Sequence, residues 1–251
     1  MSCCADPELR ESAPEPLMVD LSEEMAALAD RLGPPPPSGA RAIQFLSART
    51  GEGCSTVARA FADEVSRRHG PKGVWLVELD LLSGAQGEAV ATDPERYGVL
   101  GAPVRASPDQ SAFFEVQPQT VGSQGEPWLP AGYLAAYPVG GRRFWVTRFR
   151  TDALRPGQQV RVTGAPDYWR SLREHADWIV VDAPAAERSR SALSVAPHMD
   201  ATVLVVDAEA ADSAAAALVR DQITAAGGRC LGVVLNRAPK PAPGFVKRFG
   251  G

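Results

Sequence analysis

From residue 40 onward the chain alternates two kinds of apolar pattern. Short runs that are apolar at nearly every position, Ala42–Ser47, Gly73–Leu79, Asp177–Val181, Ala201–Val206 and Cys230–Leu235, read as strands buried on both faces. Between them lie stretches with helical spacing. Ser55–Arg68 puts Val57, Ala58, Phe61, Ala62 and Val65 on one face, and Asp212–Ala226 is Ala-rich and closed by Gly227 and Gly228. Strands alternating with helices in this way predict an α/β fold: a mostly parallel, doubly wound sheet in a three-layer α/β/α domain.

Two regions break the alternation. Residues 1–20 are polar, acidic and Pro-containing, which predicts a flexible lead. Leu21–Leu32 follows as a short helix with Met25, Leu28, Ala29 and Leu32 on one stripe, Ser22 as N-cap and Gly33 as stop, and Gly33–Gly39 makes a stiff, Pro-rich linker. Residues 83–168 mix Gly and Pro with aromatics. Within them Phe144–Phe149 and Gln159–Thr163 read as strands, and Tyr168–His175 as a helix leading into the next strand. No repeat and no second-domain boundary is evident. The expected organisation is a lead with helix and linker over 1–39, one domain over 40–239 with an irregular insertion at about 83–168, and a flexible tail over 240–251.

Composition narrows the classes. A length of 251 residues suits one α/β domain, and a net charge of −4 argues against a general nucleic-acid binder. Cys3, Cys4, Cys54 and Cys230 fit neither a zinc site nor a disulfide framework, so reduced thiols in a cytosol are the expectation. The N-terminus has no apolar signal core, and no window approaches the ~18 apolar residues of a membrane span.

The candidate chemistry sits after the first strand. Ala48-Arg49-Thr50-Gly51-Glu52-Gly53-Cys54-Ser55-Thr56 joins a strand to a helix without a gap. That order places backbone N–H groups and a positive helix end at one spot, as phosphate binding requires. Against the pattern G-x-x-x-x-G-K-[ST], Ala48 replaces the first Gly, Gly51 and Gly53 keep the backbone freedom, and Ser55 offers a hydroxyl to Mg²⁺. Cys54 stands where the lysine belongs. A neutral thiol does not supply that charge, and the loss of one such contact costs on the order of 10²-fold or more in rate. Backbone contacts and Mg²⁺ still permit binding, and Arg49, Arg59 or a partner's arginine are candidate substitutes. A thiol at a helix N-terminus also has a second reading, as a reactive group of lowered pKa. A ligand-free β–α turn is the plain structural alternative for the whole loop.

Acidic strand ends favour the ligand reading. Asp80 follows the second strand and Asp182 the third, where ligands sit in open parallel sheets and where carboxylates hold Mg²⁺ or polarise water. Asn236 ends the last strand with an amide that either reads a base edge or makes a turn.

These pieces, Phe45–Ser47 to Thr56–Ala58, Leu76–Leu82, Asp177–Pro184, Asp200–Val206 and Gly232–Asn236, together resemble a family. It is the cytoplasmic tyrosine autokinases of bacterial capsule and exopolysaccharide export, the CpsD/CapB/Wzc type within the MinD/ParA-like deviant P-loop ATPases. A closer likeness is to the kinase-like proteins of holdfast polysaccharide loci (HfsB-like). The resemblance implies that Gly51, Glu52, Gly53, Cys54, Ser55 and Thr56 line the phosphates of ATP or ADP. It implies that Ser55, Asp80 and Asp182 serve Mg²⁺, that Asp80 and Asp182 are catalytic, and that Asn236 touches adenine. It further implies a membrane polysaccharide co-polymerase (Wzz-like) partner, self-association, no nucleic-acid partner, and a cytoplasmic place beside the inner membrane. The departures matter. Cys54 replaces lysine, Glu78 and Leu82 replace an Asp and an Arg of the second acidic motif, the helix Leu21–Leu32 lacks an Arg-rich pattern, and Arg237–Gly251 contains no tyrosine. They point to a degenerate kinase-like regulator of polysaccharide polymerisation and export. An active ATPase or tyrosine kinase of the same pathway and a MinD/ParA-like positioning ATPase are the alternatives.

Overall fold

The computed structural model describes residues 20–68, 70–119, 128–210 and 212–238. The expected flexible lead over residues 1–19 and flexible tail over 240–251 lie outside these. In chain order the elements are α1 (Ser22–Leu32), β1 (Arg41–Ser47), α2 (Cys54–Arg67), β2 (Val74–Glu78), α3 (Ala85–Ala91), α4 (Pro94–Tyr97), β3 (Val104–Arg105), β4 (Phe114–Gln117), β5 (Leu134–Pro138), β6 (Phe144–Phe149), β7 (Gln159–Val162), α5 (Pro166–His175), β8 (Trp178–Asp182), α6 (Ser191–Val195), β9 (Ala201–Asp207), α7 (Ser213–Ala225) and β10 (Cys230–Asn236).

One eight-stranded sheet organises the domain, in the order β10-β9-β1-β8-β2-β6-β5-β3. The strands from β10 to β6 run parallel, and β5 and β3 add antiparallel pairs at one edge. The α/β class and the mostly parallel sheet are as the patterning predicts. Period-2 alternation sends β1 side chains to opposite faces. Ile43 and Phe45 join the cluster under α1 and α2 with Val57, Phe61, Leu76 and Val180. Ala42 and Leu46 join the other cluster with Val77, Val181, Leu204, Val195 and Ile223. Burial on both faces is why these strands read as unbroken apolar runs.

Helix α1 packs on α2 and is part of this core, although the sequence placed it in a lead outside the domain. Met25 and Ala29 are buried, and Arg68 of the chain after α2 pairs with Asp30 at 2.6 Å. Ser22 is inside the first turn, not the cap. It bonds back to Asp20, Oγ donating at 2.6 Å.

The insertion is ordered rather than irregular. Its strand β6 pairs parallel with β2, β5 pairs with β6, β3 pairs with β5, and β4 pairs with β7 in a separate two-stranded sheet. Strand β5 escaped notice because LAAYP is rich in small residues and ends in Pro. The aromatics of this region pack against α5: the Phe113 ring lies 4.8 Å from Tyr168 and 5.2 Å from Trp169. At the opposite edge, β10 leaves Leu231, Val233 and Leu235 exposed. Among the described residues no helix is long and apolar enough to cross a membrane.

Candidate nucleotide site

Strand β1 lies between β8 and β9, so the loop after it opens where the strand order reverses, at the carboxyl ends of the sheet. Those ends gather Glu78 on β2, Asp182 on β8, Asp207 on β9 and Asn236 on β10. In register, Glu78 and Asp182 are direct neighbours, and so are Asn236 and Asp207.

The loop from Ala48 to Gly53 is held open from behind. Gly51 and Gly53 take φ of 89° and 85°, a conformation that favours glycine. Asn236 Nδ2 donates to the Glu52 carbonyl at 3.0 Å. The Glu52 side chain is buried and turned from the opening, and it accepts the Arg49 N–H at 2.7 Å. The Thr50 N–H goes to Glu187 at 2.7 Å, and Ser47 Oγ donates to the Arg49 carbonyl at 3.0 Å. Helix α2 then starts at Cys54, one residue earlier than the pattern indicates, and the N–H groups of its first turn have no intrahelical acceptor.

In front of this turn is a cleft of about 300 Å³. Gly51, Gly53, Cys54, Ser55 and Thr56 line one side. Glu78, Asp80 and Asp182 line the other with Arg188. The structure thus brings most of the singled-out residues together. Glu52 and Asn236 do not line the cleft; their side chains brace the loop. A larger cleft, about 620 Å³, lies among α1, the end of α2 and Arg142, and contains none of the motif residues.

Asp182 is the most constrained group. Gln86 donates to its Oδ2 at 2.6 Å, while Oδ1 is buried with no hydrogen-bond partner. The Ser55 hydroxyl and Cys54 thiol lie beside this carboxylate. Burial raises its pKa, against the opposing pull of Gln86, Ser55 and the Arg59 charge. Glu78 accepts the Ala85 N–H at 3.0 Å, and its pKa is pushed up to about 7, first by burial and then by the charge of Asp182. Asp80 is more open and pairs with Arg188 at 3.0 Å.

Cys54 does not fit the reactive reading. The residue is 7% exposed, and its thiol is pushed well above the usual range, by burial first and by Asp182 next. A helix N-terminus favours a thiolate, but desolvation beside a carboxylate outweighs it here.

The donor set fits a diphosphate with Mg²⁺. Asp182, which lines the cleft, carries a buried carboxylate oxygen without a partner, the oxygens of Ser55, Asp80 and Asp182 suit a hard cation, and glycines leave the backbone open. No three His, Cys, Asp or Glu among the described residues are grouped to hold an ion unaided. Mg²⁺ here would rest on one or two carboxylates, Ser55 and phosphate oxygens, as is usual for that ion. Bound there, it would neutralise phosphate charge; what the side chains do is orient and exclude. Gln86 holds both Asp182 and, at 2.9 Å, the Ser55 carbonyl, and Arg59 holds Gln86 at 3.0 Å. Sequence reasoning missed Gln86 because α3 carries only seven residues, and missed Arg188 because nothing in its local pattern marks it.

Fold and cleft together define a three-layer α/β domain with a phosphate-loop-like turn at its switch point. No protein-family model matches the sequence, and no curated protein matches it. Solved structures do match. The kinase domain of VpsO is 17% identical with a TM-score of 0.52, covering 80% of this chain and 86% of that one. The kinase domain of Escherichia coli tyrosine kinase ETK is 14% identical with a TM-score of 0.54, covering 94% and 87%. The chimerical protein CapA2B2 is 18% identical with a TM-score of 0.50, covering 82% and 79%. At these identities the likeness is one of fold: this chain has the architecture of bacterial tyrosine kinase domains.

Proposed function

We propose that this domain is a nucleotide-binding, catalytically weakened relative of the exopolysaccharide tyrosine kinases. In this reading it regulates polysaccharide polymerisation and export, of capsule or holdfast type, by contacting a membrane co-polymerase from the cytoplasmic side. The fold shared with tyrosine kinase domains supports it. The observation that carries the weakened part is Cys54: a buried, protonated thiol occupies the helix start between Gly53 and Ser55, beside Asp182, where a phosphate-directed ammonium would be needed.

Gly51, Gly53, Ser55 and Thr56 would cradle phosphate, Ser55, Asp80 and Asp182 would face Mg²⁺, and self-association is part of the same reading. The test is a titration of the full chain with ADP and ATP, with and without Mg²⁺, followed by ATP turnover beside the Cys54→Lys variant. Expected are Mg²⁺-dependent binding and turnover that rises on the order of 10²-fold in the variant. Natural turnover equal to that of the variant would overturn the weakened-enzyme reading, and binding of no nucleotide would overturn the site.

A further inference from the structure

We infer that Arg188 is the cation this cleft offers to phosphate in place of the missing lysine. The inference rests on the nucleotide reading above and names the residue that makes binding workable without Lys.

Three arginines are near enough to be considered, and the structure separates them. Arg49 turns away from the cleft, to Glu187 at 3.4 Å and Asp212 at 3.1 Å. Arg59 lies behind Asp182, donating to Gln86 at 3.0 Å and the Tyr97 hydroxyl at 3.3 Å. Neither lines the opening. Arg188 does, in the cleft that Gly53, Cys54 and Ser55 also line.

Its position is fixed at the backbone and free at the tip. The turn after β8 is tied to the phosphate loop by three bonds: the Ala186 N–H to the Ser47 carbonyl at 2.9 Å, the Glu187 N–H to the Ala48 carbonyl at 3.3 Å, and the Thr50 N–H to the Glu187 carboxylate at 2.7 Å. The Arg188 N–H closes the turn on Ala185 at 2.9 Å. The side chain is 55% exposed, and its ion pair is with Asp80. A half-exposed pair of this kind holds weakly and exchanges easily for a stronger anion. A phosphate is such an anion, because the guanidinium fork matches its oxygens.

The composition of the cleft favours such a group. Glu78, Asp80 and Asp182 are three acidic groups lining the cleft with Arg188, so a polyphosphate entering there meets acidic side chains and one guanidinium. When Arg188 swings from Asp80 to phosphate, one movement both supplies a cation to the ligand and frees the Asp80 carboxylate to face a divalent ion. The two steps are coupled through a single side chain.

The experiment is calorimetric titration of the full chain with three probes: Mg²⁺–ADP, Mg²⁺–diphosphate and adenosine. Arg188→Ala and Arg188→Gln are each expected to weaken ADP and diphosphate tenfold or more and to leave adenosine unchanged. Arg188→Lys should recover part of the loss. Adding Cys54→Lys to Arg188→Ala should restore diphosphate binding, which a merely structural role for Arg188 would not produce. Should Arg188→Ala and Arg188→Gln bind diphosphate as the natural chain does, the inference falls while the nucleotide reading stands. Should the natural chain bind neither ADP nor diphosphate, both fall. Melting temperatures of the variants without ligand, expected unchanged, separate a folding defect from a binding defect.

Discussion

The amide of Asn236 fills the place that a side chain on Gly53 would need. A Cβ built on Gly53 would lie 2.0 Å from Nδ2, and the same amide holds the Glu52 carbonyl at 3.0 Å. The last strand of the sheet therefore props the loop after β1 from behind. Gly53→Ala is expected to lower stability by roughly 1–3 kcal/mol through the backbone conformation alone, with the clash added. Asn236→Ala should cost about 1 kcal/mol for the lost bond. In the double variant the clash disappears, so the two losses should sum to more than the pair measured together. Chemical denaturation of the four proteins checks this, and simple additivity would show that the contact is not made.

Helix α1 is predicted to be worth its place in the core. Met25 is 1% exposed against α2 and the sheet, so Met25→Ala should cost about 2–5 kcal/mol. Unchanged denaturation would mean that α1 does not dock on the domain.

Glu78 gives the protein a specific pH dependence. Its ordinary pKa of 4.5 rises to about 7 on folding, by burial and by Asp182. The folded chain therefore holds this proton where the unfolded chain has released it. Stability from this group is complete below pH 4.5, falls as pH rises towards about 7, and stays lost above that. The span amounts to no more than about 3 kcal/mol. Glu78→Gln should flatten this part of the profile, and stability should differ most from the natural chain above pH 7. A variant whose profile keeps the natural slope between these values would exclude Glu78 as its source.

Cys54 should resist modification. In a background with Cys3 and Cys4 changed to Ser, iodoacetamide at neutral pH should label Cys230, which is only half-buried, well before Cys54. Mapping by mass spectrometry reads the order. Rapid labelling of Cys54 in the folded chain would restore the reactive-thiol reading.

The parallel strands were legible because burial on both faces forces continuous apolar runs, as in Ile179–Val181 and Val203–Val206. The cleft was legible through its glycines and through carboxylates at strand ends, since backbone freedom and position in the sheet are both local properties. What was not legible is what depends on distant partners. Met25 reads as amphipathic whether or not α2 is there to receive it. Strand β5 carries too few large residues to show its pairing with β6. Gln86 and Arg188 acquire meaning only when α3 and the turn after β8 fold back on the loop. The state of the Cys54 thiol turns first on its burial in the folded core and then on Asp182, 128 positions along the chain, neither visible in any local pattern.

Strand β1 is bonded along both edges, to β8 and to β9, and the turn after β8 is bonded to the loop that β1 leads into. Such a mould is cast by the sheet, so its outline persists as long as the protein folds, with or without any visitor. On the proposed reading, what sets this domain apart from an active kinase is the chemistry of position 54 and its replacement cation, not the shape of the cleft.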